Sequence, residues 1–479
     1  MANDFANYLL EAAGKDKGEL SPDNPYREIG FDGEKKRLGW LKVLPFSAIR
    51  ISLEKILPAF ENKKNFIFVG MGGSINGIKP LLLLFKAKDL YTLYNLDPRA
   101  LRGIISKIKD LDKILVISIS KSGTTQETQL LSLALKELFL NKLGKDKWQE
   151  HFLWLSDPQA FANLDSLGWD KVAKVSIQFD EKSDIGGRFS SPHTLIFFLP
   201  LFLLFGKDFK KLESTYNLFV SLHDKIRQNA CCEAFKYKDK PDAYFSPIIG
   251  GNLGKSFSSW IVQLFQESLG SKLKSLPVKT ITNFKNSRFF SKVIMDIKVD
   301  NPVVSLMAQM YFFQIFIAYY SAFKRLNFVT QDYVEKYKSQ MRELENKSGD
   351  IIISMPRDID EIIKEIEQKI KPSHIFIEVV LYFYPDPKVM KRIQDYLGKH
   401  FKQKKVIIFI GSDWNHKSYQ AAFADKDTFY VLLLASRYDL QLPGISQATF
   451  SRNASTLKII AQATYLTLEE KAVLFSFSP

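Results

Sequence analysis

The chain of 479 residues has only two cysteines, Cys231 and Cys232, and they are adjacent, so neither a disulfide framework nor metal-ligand spacing can be built from them. Long apolar runs are also missing. The most apolar segment, Thr194 to Phe205 in "SPHTLIFFLPLFLLFGKD", falls short of the roughly 20 residues that a membrane span needs, and Pro200 interrupts it. It reads as a buried helix. The N-terminal "MANDFANYLLEAAGKDKGEL" carries acids where a signal peptide would carry lysines. These features argue against secretion and against a membrane partner, and a cytoplasmic location is expected. Net charge is +15, yet lysines are spread over the whole length and no basic block is interleaved with aromatics, so nucleic acid is not an expected partner. Anionic small molecules remain as a partner class. No short-period repeat or low-complexity segment is found.

What is present is a soluble, globular composition, with 46% hydrophobic and 25% charged residues. Single cores stop growing at roughly 250–300 residues, so the length predicts at least two domains. Short β-rich runs alternate with helical patterns. "NFIFVGMGGSINGIKPLLLLF" reads as strand, glycine turn and helix; "KILVISISKSGTTQETQLL" repeats the arrangement; "HFLWLSDP" and "VAKVSIQF" are further strands. A second series starts near Asp242 with "AYFSPIIGGNLGKSFSSWIVQLFQES" and continues through "HIFIEVVLYF", "VIIFIGSDWNH" and "DTFYVLLLAS". Such alternation predicts an α/β fold with mainly parallel sheets flanked by helices. The division expected is 1–225, an N-terminal arm and a first domain, and 226–479, a second domain with a C-terminal extension. "ENKSGD", from Glu345 to Asp350, reads as a loop, and "DIDEIIKEIEQKI" as an amphipathic surface helix.

In "VISISKSGTTQETQLLSLALKELF" a buried strand stops at Ser120, and Ser120, Lys121, Ser122, Thr124 and Thr125 precede a helix. A helix N-terminus presents unpaired N–H groups and the positive end of its dipole, so an anion fits there. One cap needs one hydroxyl. Five donor residues in so short a stretch point instead to a phosphate, with the glycine turn Gly70, Gly72, Gly73 and Ser74 as a second close backbone approach. "GGNLGKS" at Gly250 imitates a nucleotide-binding loop, but the glycine required five places before Gly254 is Ile249, so a nucleotidase is not supported and the turn simply opens a helix.

Four stretches, "GMGGSINGIKP", "SISKSGTTQET", "IGGRFS" and "QLFQESLGSK", resemble in order and spacing the glucose-6-phosphate isomerase family, which is built from two sugar-isomerase (SIS) domains. The resemblance covers about residues 60 to 275. It implies an aldose-ketose isomerase of glycolysis and gluconeogenesis, acting on a sugar phosphate through a cis-enediol. Glu267 in "QES" matches the family's base, which takes a proton from C2 and returns it to C1. Arg188 in "GGRFS" matches the arginine that meets the developing enediolate charge; a guanidinium suits that task because it does not lose its proton. Phosphate is expected on Ser120, Lys121, Ser122 and Thr125, with Gly73 and Ser74 near the sugar and Gln263 orienting substrate one turn before Glu267. No cofactor and no metal is implied.

Opening the sugar ring calls for a group that titrates near neutrality, and the chain has only six histidines. "NFVTQDYVEKYK", Asn327 to Lys338, resembles the family segment ending in the active-site lysine, with Asp332 where a proline is usual; this implies Lys338, although Lys336 is a close neighbour. "GSDWNHKSYQ" resembles the histidine segment of the isomerase portion of transaldolase/phosphoglucose isomerase fusion proteins, and "LPGISQATF" resembles the same branch. That implies His416, followed four places on by Gln420. His416 lies just beyond a strand's C-terminal end, where α/β proteins build ligand sites. His193 and His374 are read as structural.

The enediol is planar at C2, so mannose phosphate could serve as well as glucose phosphate. Two further classes stay open at this stage: a non-catalytic sugar-phosphate-binding SIS protein, against which the joint retention of Glu267, Arg188, Lys338 and His416 argues, and an amino-sugar-forming SIS transferase, which would normally need an N-terminal cysteine where Ala2 stands. The resemblance also implies a homodimer as a possible assembly.

Overall fold

Strand Asn65–Gly70 is apolar at almost every position because parallel sheets are covered on both faces, and its alternate residues enter two different cores. Phe66 and Phe68 join Leu115, Ile117, Leu153 and Leu155 on one face. Ile67 and Val69 join Val116 and Trp154 on the other. The sheet they belong to is five-stranded and wholly parallel, in the order Leu90–Leu93, Asn65–Gly70, Ile114–Ile119, Phe152–Ser156, Ala173–Ser176. The computed structural model describes residues 2–251, 253–270, 276–284, 289–346, 358–438 and 441–478.

The first face packs on helices, among them Leu195–Leu204, the buried helix expected from the apolar run, and Pro302–Lys324. The latter was not singled out by the sequence reading. It is long and apolar enough to cross a membrane by length and composition, yet 94% of its most apolar window is buried inside the protein, so it serves as a core helix. Asn301 caps it by accepting from the N–H groups of Val303 and Val304 at 3.0 and 3.1 Å. The second face of the sheet is covered by helix Gln126–Leu143 and by Phe450 and Leu457 of the C-terminal helix Gln447–Leu468. The last helix therefore ties the C-terminal extension to the first sheet, with Thr449 donating to Glu137 at 2.5 Å.

Among the described residues, the C-terminal half carries its strands in two sheets, both parallel. One has three strands, Ser291–Val293, Ala243–Pro247 and Val278–Thr280; the other has four, Lys405–Ile410, Phe376–Tyr382, Thr428–Ala435 and Ala472–Phe477. Tyr244, Phe290 and Phe376 pack between them, and buried Lys279 reaches Glu378 at 2.5 Å and Asp425 at 2.6 Å. The chain is thus α/β, with mainly parallel sheets flanked by helices; the exception among the described residues is the short antiparallel pair Phe31–Asp32 and Lys35–Lys36. Residue 225/226 falls inside helix His223–Phe235, which lies along the core helix. Helix Ile359–Lys369 starts with a capping box at Asp358. Glu345 and Asn346, expected in a loop, end the helix Val334–Asn346, and residues 347–350 lie outside the described residues. The loops after Gly70, Ile119 and Ile410, at the carboxyl ends of their strands, supply the groups of the site below.

Candidate active site

The loop between strand Ile114–Ile119 and helix Gln126–Leu143 folds back on itself through Gly123, whose φ of +67° favours glycine. Thr125 stands at the N-cap, but its side chain makes no capping bond. Its hydroxyl instead accepts from Ser120 Oγ at 3.1 Å, while Ser122 and Thr124 share a hydroxyl contact at 2.8 Å. The hydroxyls are organised around the helix start rather than used up in capping it. Ser122, Thr124 and Thr125 line a cavity of about 1060 Å³; Ser120 is buried and sits behind Thr125. Lys121 also lines the cavity, but its ammonium donates to the carbonyls of Ser183 at 3.0 Å and Ile185 at 2.6 Å, with Asp157 at 3.7 Å. Burial pushes Lys121 down to about 8, with Asp157 opposing. The lysine thus clamps the hydroxyl loop to the segment that leads into Arg188.

The glycine turn is positioned by close backbone contact. A Cβ on Gly73 would lie 2.2 Å from the carbonyl oxygen of Gly187, so only glycine lets this turn press against the Arg188 segment. Gly73 and Ser74 line the same cavity.

Helix Gly254–Leu269 brings Gln263 and Glu267 to the cavity on successive turns. Glu267 is buried, and its carboxylate is held from both sides. Oε1 accepts from Arg188 Nη1 at 2.9 Å and from Gln331, and Oε2 accepts from Gln263 Nε2 at 2.9 Å. Arg188 is itself fixed by donating to Ser268 Oγ at 2.8 Å and to the carbonyl of Phe328 at 2.6 Å. Three of its five N–H groups are therefore engaged by described residues, which leaves a donor on each terminal nitrogen.

His416 follows strand Lys405–Ile410 and lines the same cavity. Its Nε2 lies 2.9 Å from Glu127 Oε1, and its carbonyl accepts from Gln263 Nε2 at 3.0 Å. Burial, the largest single influence, opposes a charged imidazole, but the charge and hydrogen bond of Glu127 together with Asp413 and Glu267 outweigh it, so the histidine is held above its ordinary value. The reciprocal effect keeps Glu127 ionised: burial works against the carboxylate, and His416 together with a 2.9 Å hydrogen bond from Ser412 Oγ more than offsets it. Sequence reasoning passed over Glu127. An acid in the first turn of a helix reads as a complement to the helix dipole, although the one signal available was its place inside "SISKSGTTQET".

Lys338 lines the cavity from helix Val334–Asn346, where it is half-exposed and pairs with Glu335 at 3.0 Å rather than with His416. Lys336 lies over the Phe423 ring at 4.8 Å. Gln420 acts as a staple, accepting from the Tyr333 N–H at 3.0 Å and donating to the Gly270 carbonyl at 2.6 Å. His193 bonds Gln314 at 2.8 Å and His374 accepts from the Lys371 N–H at 3.0 Å, both away from the cavity. One cavity therefore collects Gly73, Ser74, Lys121, Ser122, Thr125, Arg188, Gln263, Glu267, Lys338 and His416.

Residues 54–217 match the sequence model of the family described as phosphoglucose isomerase. The match to that family's model is confined to this part of the chain. The glucose-6-phosphate isomerase of Campylobacter jejuni is 28% identical over 247 residues, covering 49% of this chain and 58% of that protein. That of Streptococcus pneumoniae serotype 19F is 30% identical over 278 residues, covering 52% and 58%. The chain thus spans a little over half the length of these phosphoglucose isomerase relatives. A solved structure of a hypothetical protein from Thermus thermophilus shares the fold, with a TM-score of 0.51 at 16% identity over 73% of this chain and 96% of that one.

Proposed function

We propose that this chain interconverts glucose 6-phosphate and fructose 6-phosphate. The observation that carries the reading is the gathering, in one cavity with a hydroxyl-rich helix N-terminus, of a buried carboxylate–guanidinium pair, Glu267 and Arg188, and a partly exposed histidine paired with a buried carboxylate, His416 and Glu127. The phosphate sits on Ser122, Thr124 and Thr125 and the N–H groups behind them, with Ser120 holding Thr125 in place and Lys121 supplying positive potential. His416, charged because of Glu127, gives a proton to the ring oxygen as the C1–O5 bond breaks, and solvent water takes the proton of the C1 hydroxyl as the carbonyl forms. Glu267 then removes the C2 proton and returns it to C1, the O2 hydroxyl proton passes to O1 through water, and the two remaining N–H donors of Arg188 meet the enediolate charge. Lys338 adds a cation at the cavity wall. Gln263 bridges the two halves of the site, since one amide nitrogen donates both to Glu267 and to the His416 carbonyl.

A coupled assay of fructose 6-phosphate conversion, run beside Glu267→Gln, tests this. Conversion by the parent and a loss of about 10³-fold or more in the variant is the expected result. A parent that binds fructose 6-phosphate, as read by thermal shift, but converts none would overturn the reading.

A further inference from the structure

Gln263 reaches Glu267 with the nitrogen end of its amide, and the reason lies further back in the fold. Its Oε1 accepts from Asn76 Nδ2 at 2.9 Å, and Asn76, wholly buried at the end of the glycine turn, accepts at Oδ1 from Lys79 Nζ at 2.9 Å and from Ser259 Oγ at 3.3 Å. Ser259 in turn accepts from Lys417 Nζ at 2.6 Å. Lys79 and Lys417 share one carboxylate, Asp413, which lies 3.6 Å from Lys79 and in contact with Lys417, and Lys79 also lies over the Tyr94 ring at 3.5 Å.

An ammonium group can only donate. Lys79 therefore draws the oxygen of Asn76 to itself, and Lys417, donating to Ser259, leaves that hydroxyl to donate to the same oxygen, so the Asn76 NH₂ faces Gln263. That contact in turn faces the Gln263 oxygen away from Glu267 and its NH₂ toward the carboxylate. We propose that Lys79 and Asn76 are positioning residues that fix the polarity of the hydrogen-bond chain ending on Glu267. The proposal rests on the reading of Glu267 as the base. Were the chain to reverse, the Gln263 carbonyl would face both the Glu267 carboxylate and the His416 carbonyl, and both contacts would become repulsive. Protonation would then relieve Glu267, so the base would be lost at higher pH.

The charged groups facing Glu267 are Arg188 in contact and His416 with its partner Glu127; Lys121 and Lys338 line the same cavity, and Asp413 with Lys417 lies behind His416. None of these is altered by Asn76→Asp. That substitution keeps the shape, adds a carboxylate beside two lysines that share one, and replaces the donor facing Gln263 with an acceptor.

The test is the pH profile of kcat/KM for the parent, Asn76→Asp, Lys79→Met and Lys79→Arg, with the melting temperature of each. For Asn76→Asp and Lys79→Met the acid limb is expected to move up by about one pH unit and kcat/KM at neutral pH to fall about tenfold, with KM little changed; Lys79→Arg restores the parent profile. Unchanged acid limbs, with only a lower melting temperature or a uniform loss of kcat, would overturn the proposal. If the parent itself converts no substrate, the reading of the site fails separately. The polarity claim is then judged by the ¹³C carboxyl resonance that disappears in Glu267→Gln: titration at higher pH in Asn76→Asp than in the parent supports it, and an identical titration overturns it.

Discussion

Glu127→Gln separates ring opening from proton transfer. At 2.9 Å, and with an effective dielectric constant near 20, a carboxylate favours the imidazolium by about 5–6 kcal/mol, against a burial cost of several kcal/mol. With Asp413 and Glu267 adding to this attraction, the balance holds His416 above its ordinary value. An amide in place of the carboxylate keeps the shape and removes the attraction while the burial cost stays. His416 should therefore titrate at least one unit lower, or more than about 1.4 kcal/mol in favour of the neutral ring. Because the charged form is the acid that opens the ring, the descending alkaline limb of kcat/KM for glucose 6-phosphate should move to lower pH, and activity at neutral pH should fall about 10²-fold. The control is a 4,5-dideoxy aldohexose 6-phosphate, which has no hydroxyl placed to close a five- or six-membered ring. Its C2 proton exchange with solvent depends on Glu267 and Arg188 alone, so it should change by less than about threefold. Equal losses with both substrates would refute the assignment of His416 and Glu127 to ring opening.

Further consequences follow from packing and titration. Gly73→Ala places a Cβ 2.2 Å from the Gly187 carbonyl, so the Arg188 segment must retreat; kcat should fall about 10²-fold with the protein still folded by circular dichroism. Lys121→Met removes the clamp onto Ser183 and Ile185 as well as positive potential near the hydroxyl loop, and should raise KM about tenfold or more, read against inorganic phosphate as a competing anion. His223 is buried against Tyr311 with neither ring nitrogen hydrogen-bonded among the described residues, and burial pushes it down to about 3. Its folded value lies below its unfolded one, so the unfolded chain takes up a proton first as pH falls below about 6.5. Stability should then drop about 1.4 kcal/mol per pH unit, or about 2.7 kcal/mol by pH 4.5, a loss that denaturant titration should find absent in His223→Phe.

Four strands of the five-stranded sheet were legible because they are short apolar runs ended by glycine or hydroxyl turns; Leu90–Leu93, a half-buried edge strand, was not. The helix Pro302–Lys324 was not, since burial on nearly every side erases the 3.6-residue stripe by which helices are recognised. For the site, residue types were legible but directions were not. The sequence marks Ser120 and Lys121 as donors, yet only the fold turns the first toward Thr125 and the second toward two carbonyls. Glu127 and His416 stand 289 positions apart, and nothing local in either segment announces the pairing. Asn76 and Lys79 likewise look like helix-start residues until the fold lays them behind Gln263.

The most direct test of the central claim, that one carboxylate moves the proton between two carbons, is conversion of glucose 6-phosphate deuterated at C2. The parent should place part of the deuterium on C1 of fructose 6-phosphate and release the rest to water, and Glu267→Gln should give almost no product. Complete retention of deuterium in the product, or undiminished conversion by Glu267→Gln, would contradict it.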